Sequence, residues 1–201
     1  MVLKAISTKA LPLRQWPAPG EWTYEDYLAI PDDGNRYEVI YGELYLMSPA
    51  PTPIHQLVSA ELMYMLQTFI KKNHLGVVLG APCDVILDPG GTPVEPDILF
   101  ITRARTHIIA EKNILGAPDM IMEILSPSNP EHDRITKFNL YQESGVKEYW
   151  IVDPQARTIE VLVLREGKYA QVGRFEGDAQ ARSDLLKDFQ VALTEVFPAK
   201  E

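Results

Sequence analysis

The chain has 201 residues, 46% of them hydrophobic, which is enough apolar material for one sizeable core. Its 28 acidic against 19 basic residues leave a formal net charge of −9. That balance argues against a nucleic-acid binder working through a uniformly basic surface, though not against a local basic groove. No run approaches the ~20 apolar residues of a bilayer span, and the lone Cys83 excludes an internal disulfide and points to a reducing, cytoplasmic setting.

Residues 1–20 read as a flexible lead-in, held extended by Pro17 and Pro19. Its apolar run is broken by Ser7, Thr8 and Lys9, so it lacks the continuous core of a secretory signal. Residues 21–201 read as a single domain. TYEDYLAI predicts a short helix, with Thr23 as N-cap and Asp26 closing a capping box. PDDGN is a turn, and RYEVI and ELYLM alternate around Tyr41-Gly42 as a β-hairpin that the proline-rich SPAPTP ends. From about Ile54 to Lys72, the apolar residues Leu57, Val58, Leu62, Met65, Leu66, Phe69 and Ile70 recur with helical spacing.

Four strand-like runs follow: VVLGAPCDVILD, VEPDILFI, DMIMEILS and EYWIVDP, the first two separated by DPGGTP. A helix from about Pro130 to Ser144 joins the last two, so these can lie parallel in one sheet. Asn129 suits its N-cap, Pro130 its first position and Gly145 its stop. TIEVLVLREGKYAQVGRFEG reads as an antiparallel pair turning at Glu166-Gly167, while LLKDFQVALTEVF fits either a strand or a short helix. This order predicts a mixed α/β sheet flanked by helices.

Two acidic residues stand out in these apolar strands. Asp97 lies in VEPDILFI and Glu123 in DMIMEILS. Alternation puts Ile121, Glu123 and Leu125 on one side of their strand and Met120, Met122 and Ile124 on the other. Neither side is plainly solvated, so Glu123 has no polar face to occupy and calls for a compensating partner. On the following helix, Ile135, Phe138, Leu140 and Tyr141 form an apolar arc that also contains Arg134 and Lys137. Asp97 and Glu123 are the expected partners of both cations. Two carboxylates and a lysine together point to a shared cation and to chemistry on a phosphate. The alternatives are structural. Asp97 would cap the turn at Pro96, and Lys137 would snorkel or pair with Asp133 one turn earlier. Cys83 reads as a small core residue, and His74 and His132 as surface residues. Arg103, Arg105, His107 and Lys112 form the most basic stretch, either a solvated loop or a source of phosphate contacts.

Pro96-Asp97 followed by the Glu123–Leu125 triplet resembles the PD-(D/E)XK nuclease superfamily. More closely, DMIMEILSPSNP through DRITKFNLYQESGVKEYWIVDP, together with RYEVIYGELYLMSPAPTPIHQ, resembles the Uma-type family of bacterial restriction-endonuclease-like proteins, over about Tyr24 to Val196. One departure from the superfamily pattern is Leu125 where the triplet carries lysine. In the resembling family the following helix supplies it, and Lys137 matches that place. The resemblance implies a restriction-endonuclease-like mixed sheet with an N-terminal hairpin. It also implies a metal-dependent endonuclease with catalytic Asp97, Glu123 and Lys137. Asp97, Glu123 and the Ile124 carbonyl would hold Mg²⁺, with Mn²⁺ as a possible substitute. Lys137 would orient the attacking water or stabilise the pentavalent phosphate. Glu43 and His55 match further family positions as added or supporting ligands; otherwise they are a hairpin-exposed carboxylate and a helix-start histidine. Tyr141 would contact the phosphate or fill the core. The implied substrate is DNA, cut by a homodimer so that two sites address two strands.

A second reading belongs to another class: a nuclease-like fold without cleavage, acting as a binding or assembly module. The acidic balance favours it, because few cations remain to offset phosphate repulsion. A phosphohydrolase using the same metal site on another substrate is a third.

Overall fold

The computed structural model describes residues 16–47, 51–88, 93–126 and 132–198, leaving the side chains of 132 and 133 out of that description. Most of the expected lead-in, parts of SPAPTP and DPGGTP, the Asn129-Pro130 helix start and the Asp133 side chain therefore lie outside the described residues. Helix α1 (Tyr24–Leu28) begins with the expected capping box, Thr23 accepting from the Asp26 amide and Asp26 from the Thr23 amide. Strands β1 (Tyr37–Ile40) and β2 (Glu43–Leu46) form the hairpin, turning at Tyr41 and Gly42, both at positive φ. Gly42 is needed there for a second reason. Its carbonyl accepts from the Gly20 and Trp22 amides, and a Cβ would collide with the Gly20 carbonyl.

Helix α2 (Pro53–Asn73) starts at Thr52, whose hydroxyl accepts from the His55 amide, with proline in its first turn and Lys71 and Lys72 in its last. It buries Val58, Leu62, Leu66 and Ile70, each worth about 1.5–3 kcal/mol of apolar burial. Leu57 of the expected stripe stays exposed.

The run VVLGAPCDVILD is two strands rather than one, β3 (Gly76–Gly80) and β4 (Val85–Ile86), since Pro82 has no N–H for a continuing ladder. VEPDILFI likewise divides into β5 (Pro93–Val94) and β6 (Ile98–Thr102), with Pro96 and Asp97 in the break. After a 3₁₀ turn over Arg103–Ile108 come β7 (Ile114–Leu115) and β8 (Met120–Ile124). The expected single helix after β8 is a π-helical segment, His132–Lys137, running into α3 (Phe138–Glu143). The remaining elements are β9 (Glu148–Asp153), β10 (Thr158–Arg165), β11 (Lys168–Glu176), β12 (Gln180–Arg182), β13 (Gln190–Ala192) and α4 (Leu193–Val196). The ambiguous C-terminal stretch is thus both strand and helix. No helix among the described residues is long and apolar enough to cross a membrane.

Among the described residues the central sheet has six strands in the order β11-β10-β9-β8-β6-β3. Only β8 and β9 pair in parallel there, joined by the α3 crossover as expected. Each face carries a core. Met120, Met122 and Ile124 of β8 meet α2 and the C-terminal elements on one side. Ile121 and Leu125 meet α3, β4 and the hairpin on the other. Glu123 alternates onto this second side, where the π segment and α3 supply partners for it.

Candidate active site

Glu123 is 3% exposed, although it lies one residue from the end of its strand. Lys137, at the last position of the π segment, is 1% exposed and brings its Nζ to 3.0 Å from Glu123 Oε1. Tyr141 donates to the same oxygen at 2.6 Å. Burial, and then the Glu123 and Glu38 carboxylates, push the Tyr141 hydroxyl well above its usual range, so it stays protonated and donates. The hydroxyl is fully buried and committed to Glu123.

Asp97 comes from the break before β6. The β6–β8 ladder ends at Ile98 and Met122. One step further, Asp97 Oδ2 accepts from the Ile124 amide at 2.8 Å, in place of a backbone carbonyl. The Asp97 amide lies 3.4 Å from Glu123 Oε2, at the long end for a hydrogen bond. His55, in the first turn of α2, holds its Nε2 3.2 Å from the same Asp97 Oδ2. Asp97 therefore links the sheet to α2, and its Oδ1 has no hydrogen bond among the described residues. Asp97, Glu123, Lys137, His55 and Tyr141 all meet here.

Other expectations fall elsewhere. Glu43 opens β2 opposite Ile40 and makes no hydrogen bond or ion pair with the site among the described residues. Arg134 does not join Lys137. It pairs with Glu160 at 2.7 Å and Asp153 at 3.5 Å, on β10 and β9. Ile135, placed on the buried arc by a 3.6-residue wheel, is 57% exposed. The π segment closes i→i+5 bonds, and the wider turn changes the phase of every side chain along it. Arg105 is committed to Asp119 and the Ala117 carbonyl, while Arg103, His107 and Lys112 are exposed. The 3₁₀ turn that carries Arg103, Arg105 and His107 follows the far end of β6 from Asp97, a strand length of roughly 16 Å. Cys83 is half-buried against the second core, and burial pushes its thiol up. His74 ends α2 in the left-handed conformation and is exposed.

Glu38 is the site residue that sequence reasoning missed. It is fully buried in β1, and its Oε1 accepts from Lys137 Nζ at 3.0 Å and from the Glu95 amide at 2.9 Å. Its signal was the one that singled out Glu123, an acidic residue flanked by Tyr37 and Val39 in an apolar strand. The hairpin's local legibility hid the fact that β1 is buried on both faces, Glu38 on one and Val39 on the other.

Glu38 and Glu123 thus flank the Lys137 ammonium, and Asp97 adjoins Glu123 through its own amide. Among the described residues no three His, Cys, Asp or Glu side chains form a ready-made metal cage. The donor set nevertheless fits a hard divalent cation that takes one or two carboxylates and completes its shell with water and phosphate. Asp97 Oδ1 has no hydrogen bond among the described residues, and Glu123 Oε2 faces the Asp97 amide at 3.4 Å.

A crystal structure of a putative nuclease belonging to DUF820 from Anabaena variabilis ATCC 29413 matches this fold with a TM-score of 0.72, over 88% of this chain and 97% of that one. The two sequences are 19% identical, so the likeness is one of fold. No curated protein matches the chain significantly. The family model described as "Uma2: Putative restriction endonuclease" matches residues 24–194, from α1 into α4. The mixed sheet, its flanking helices and its N-terminal hairpin are therefore the restriction-endonuclease-like core of a chain that belongs to the Uma2 family.

Proposed function

We propose that this chain is a metal-dependent nuclease that hydrolyses phosphodiester bonds in DNA, with Asp97, Glu123 and Lys137 as its catalytic residues. The observation that carries the reading is the charge balance of the site. Glu38 and Glu123 each meet the Lys137 ammonium at 3.0 Å and Asp97 adjoins Glu123 through its amide, with Glu38, Glu123 and Lys137 each at most 3% exposed. Three carboxylates this close together in a largely buried site favour a cation among them. A divalent cation held by Asp97, Glu123 and the Ile124 carbonyl would offset them, with Mg²⁺ as the natural ion and Mn²⁺ as a substitute. When bound, such an ion lowers the pKa of a water and stabilises charge on the scissile phosphate.

The chain's own groups supply the rest. Lys137 donates to the attacking water or to a non-bridging phosphate oxygen, using a positive charge that Glu38 and Glu123 hold in place. His55 and the Ile124 amide fix the rotamer of Asp97 through Oδ2, which leaves Oδ1 for the cation. Tyr141 braces Glu123 from behind. The reading takes residues 21–201 as one domain, acting in the cytoplasm as a homodimer whose two sites address two strands.

Cleavage of plasmid, linear and single-stranded DNA with Mg²⁺ or Mn²⁺ tests it, with Asp97→Ala, Glu123→Ala and Lys137→Ala beside wild type and folding verified for each. Cleavage lost in all three variants is expected. Activity persisting in Asp97→Ala would refute the site. The net charge of −9 favours the binding-module reading instead, and a folded wild type that cuts none of these substrates would establish that preference.

A further inference from the structure

We infer that Glu38 is a positioning residue of this site, the group that fixes where the Lys137 ammonium sits relative to Asp97 and Glu123. The inference rests on the proposed nuclease reading for its catalytic consequence, but its geometric part stands alone. A buried lysine on a single carboxylate has a range of positions open to it, because its stem has four rotatable bonds and its head is a compact point charge. Here the ammonium has two anchors from unrelated elements. Glu123 approaches from β8 and Glu38 from β1, each at 3.0 Å. Two anchors reduce an arc of positions to one.

The oxygen used by Glu38 matters as much as its charge. Oε1 takes both the Lys137 ammonium and the Glu95 amide. Glu95 is two residues before Asp97, in the break that delivers that aspartate to the site. One oxygen atom therefore ties the lysine-bearing segment to the aspartate-bearing segment. The hairpin carrying it is fastened again at its tip, where Tyr41 donates to Glu143 of α3 at 2.7 Å. Glu95 is held from its far side by an ion pair with Arg36, the residue before β1. Hairpin, β5–β6 connection and α3 form one frame, and Glu38 is its inner contact. A carboxylate with only a packing role would need neither the charge nor the shared oxygen.

The test uses Glu38→Gln, which keeps the shape and one acceptor but removes the charge, and Glu38→Ala, which removes both. Two readouts are taken on the full chain with folding verified. The first is kcat and KM for DNA cleavage with Mg²⁺. The second needs no activity: the rate at which acetic anhydride acetylates Lys137, read by peptide mass spectrometry. The expected result is a kcat about tenfold lower in Glu38→Gln and on the order of a hundredfold lower in Glu38→Ala, with KM within about twofold of wild type. Lys137 is expected to acetylate faster in both variants. Equal acetylation in Glu38→Gln and wild type would overturn the positioning role. So would an unchanged kcat in folded Glu38→Gln. If wild type cuts no DNA, the nuclease reading fails, and acetylation alone decides whether Glu38 positions Lys137. Should Glu38→Ala not fold, Glu38→Gln carries both measurements.

Discussion

Tyr141 donates its hydroxyl hydrogen across 2.6 Å to Glu123 Oε1, the oxygen that Lys137 also reaches. The ring of Tyr141 packs edge-on against Tyr149 at 5.1 Å, a contact that phenylalanine would keep. Tyr141→Phe therefore removes one charge-assisted hydrogen bond and little else. We expect a loss of about 1.5–3 kcal/mol in urea unfolding. A loss below about 0.5 kcal/mol would mean that Glu123 takes water in place of the phenol.

Lys137→Met keeps the length of the side chain and deletes its charge. Glu38 and Glu123 would then face each other in the interior without the counter-charge they share. Breaking a buried pair in this way costs about 3–5 kcal/mol. Equilibrium unfolding at neutral pH should show a loss of that order. Wild-type stability in the variant would mean that a carboxyl of the site is already protonated in the native chain.

Arg134 supplies the contrast. It is partly exposed and pairs with Glu160 and Asp153, away from Lys137's carboxylates. Arg134→Ala should lower stability by about 1 kcal/mol or less and leave the kcat of DNA cleavage within about twofold. A kcat collapse in folded Arg134→Ala would return this arginine to the site.

Two aspartates should give stability–pH slopes of opposite sign. Burial, and then the Glu95 charge, raise the Asp84 carboxyl above its usual range. Its contribution is complete below the unfolded-state value of about 3.9 and is lost as pH rises through the raised native value. Asp84→Asn, which can still accept from Tyr27, should gain on wild type across that window. Asp119 is also pushed up by burial, but donors from Lys147, Thr102 and Arg105 outweigh this and hold it low. Its contribution is present above about pH 3.9 and disappears as pH falls through the depressed native value. Asp119→Asn should therefore lose most at neutral pH. Unfolding midpoints from pH 3 to pH 8 check both, and parallel curves for either variant and wild type would refute its shift.

What the sequence made legible was local. The Thr23–Asp26 cap and the Tyr41-Gly42 turn rest on residues a few positions apart, and both stand as expected. Glu123 was legible because alternation exposes an acid that has no wet face. Lys137 was legible only in part. The wheel found it buried, but the same wheel buried Ile135 and sent Arg134 to the wrong carboxylates, because a π segment does not keep a 3.6-residue phase. Glu38 stayed hidden because its partners lie far along the chain, in the β5–β6 connection and beyond β8. Spacing within one strand carries no record of such a meeting. Strand ends went astray at Pro82 and Pro96, where a missing N–H divided runs that hydropathy alone reads as continuous.

The order of the site residues along the chain has a consequence for synthesis. Glu38, His55, Asp97 and Glu123 all leave the ribosome before Lys137, and β9, the parallel neighbour of β8, follows later still. A nascent chain ending short of Lys137 holds the acids without the ammonium that meets them, and half a sheet with β8 as an open edge. The centre is therefore completed late, through contacts between distant parts of the sequence, as expected of a slow-folding mixed sheet. A chain cut off before the crossover helix carries the acids of the centre and none of its order.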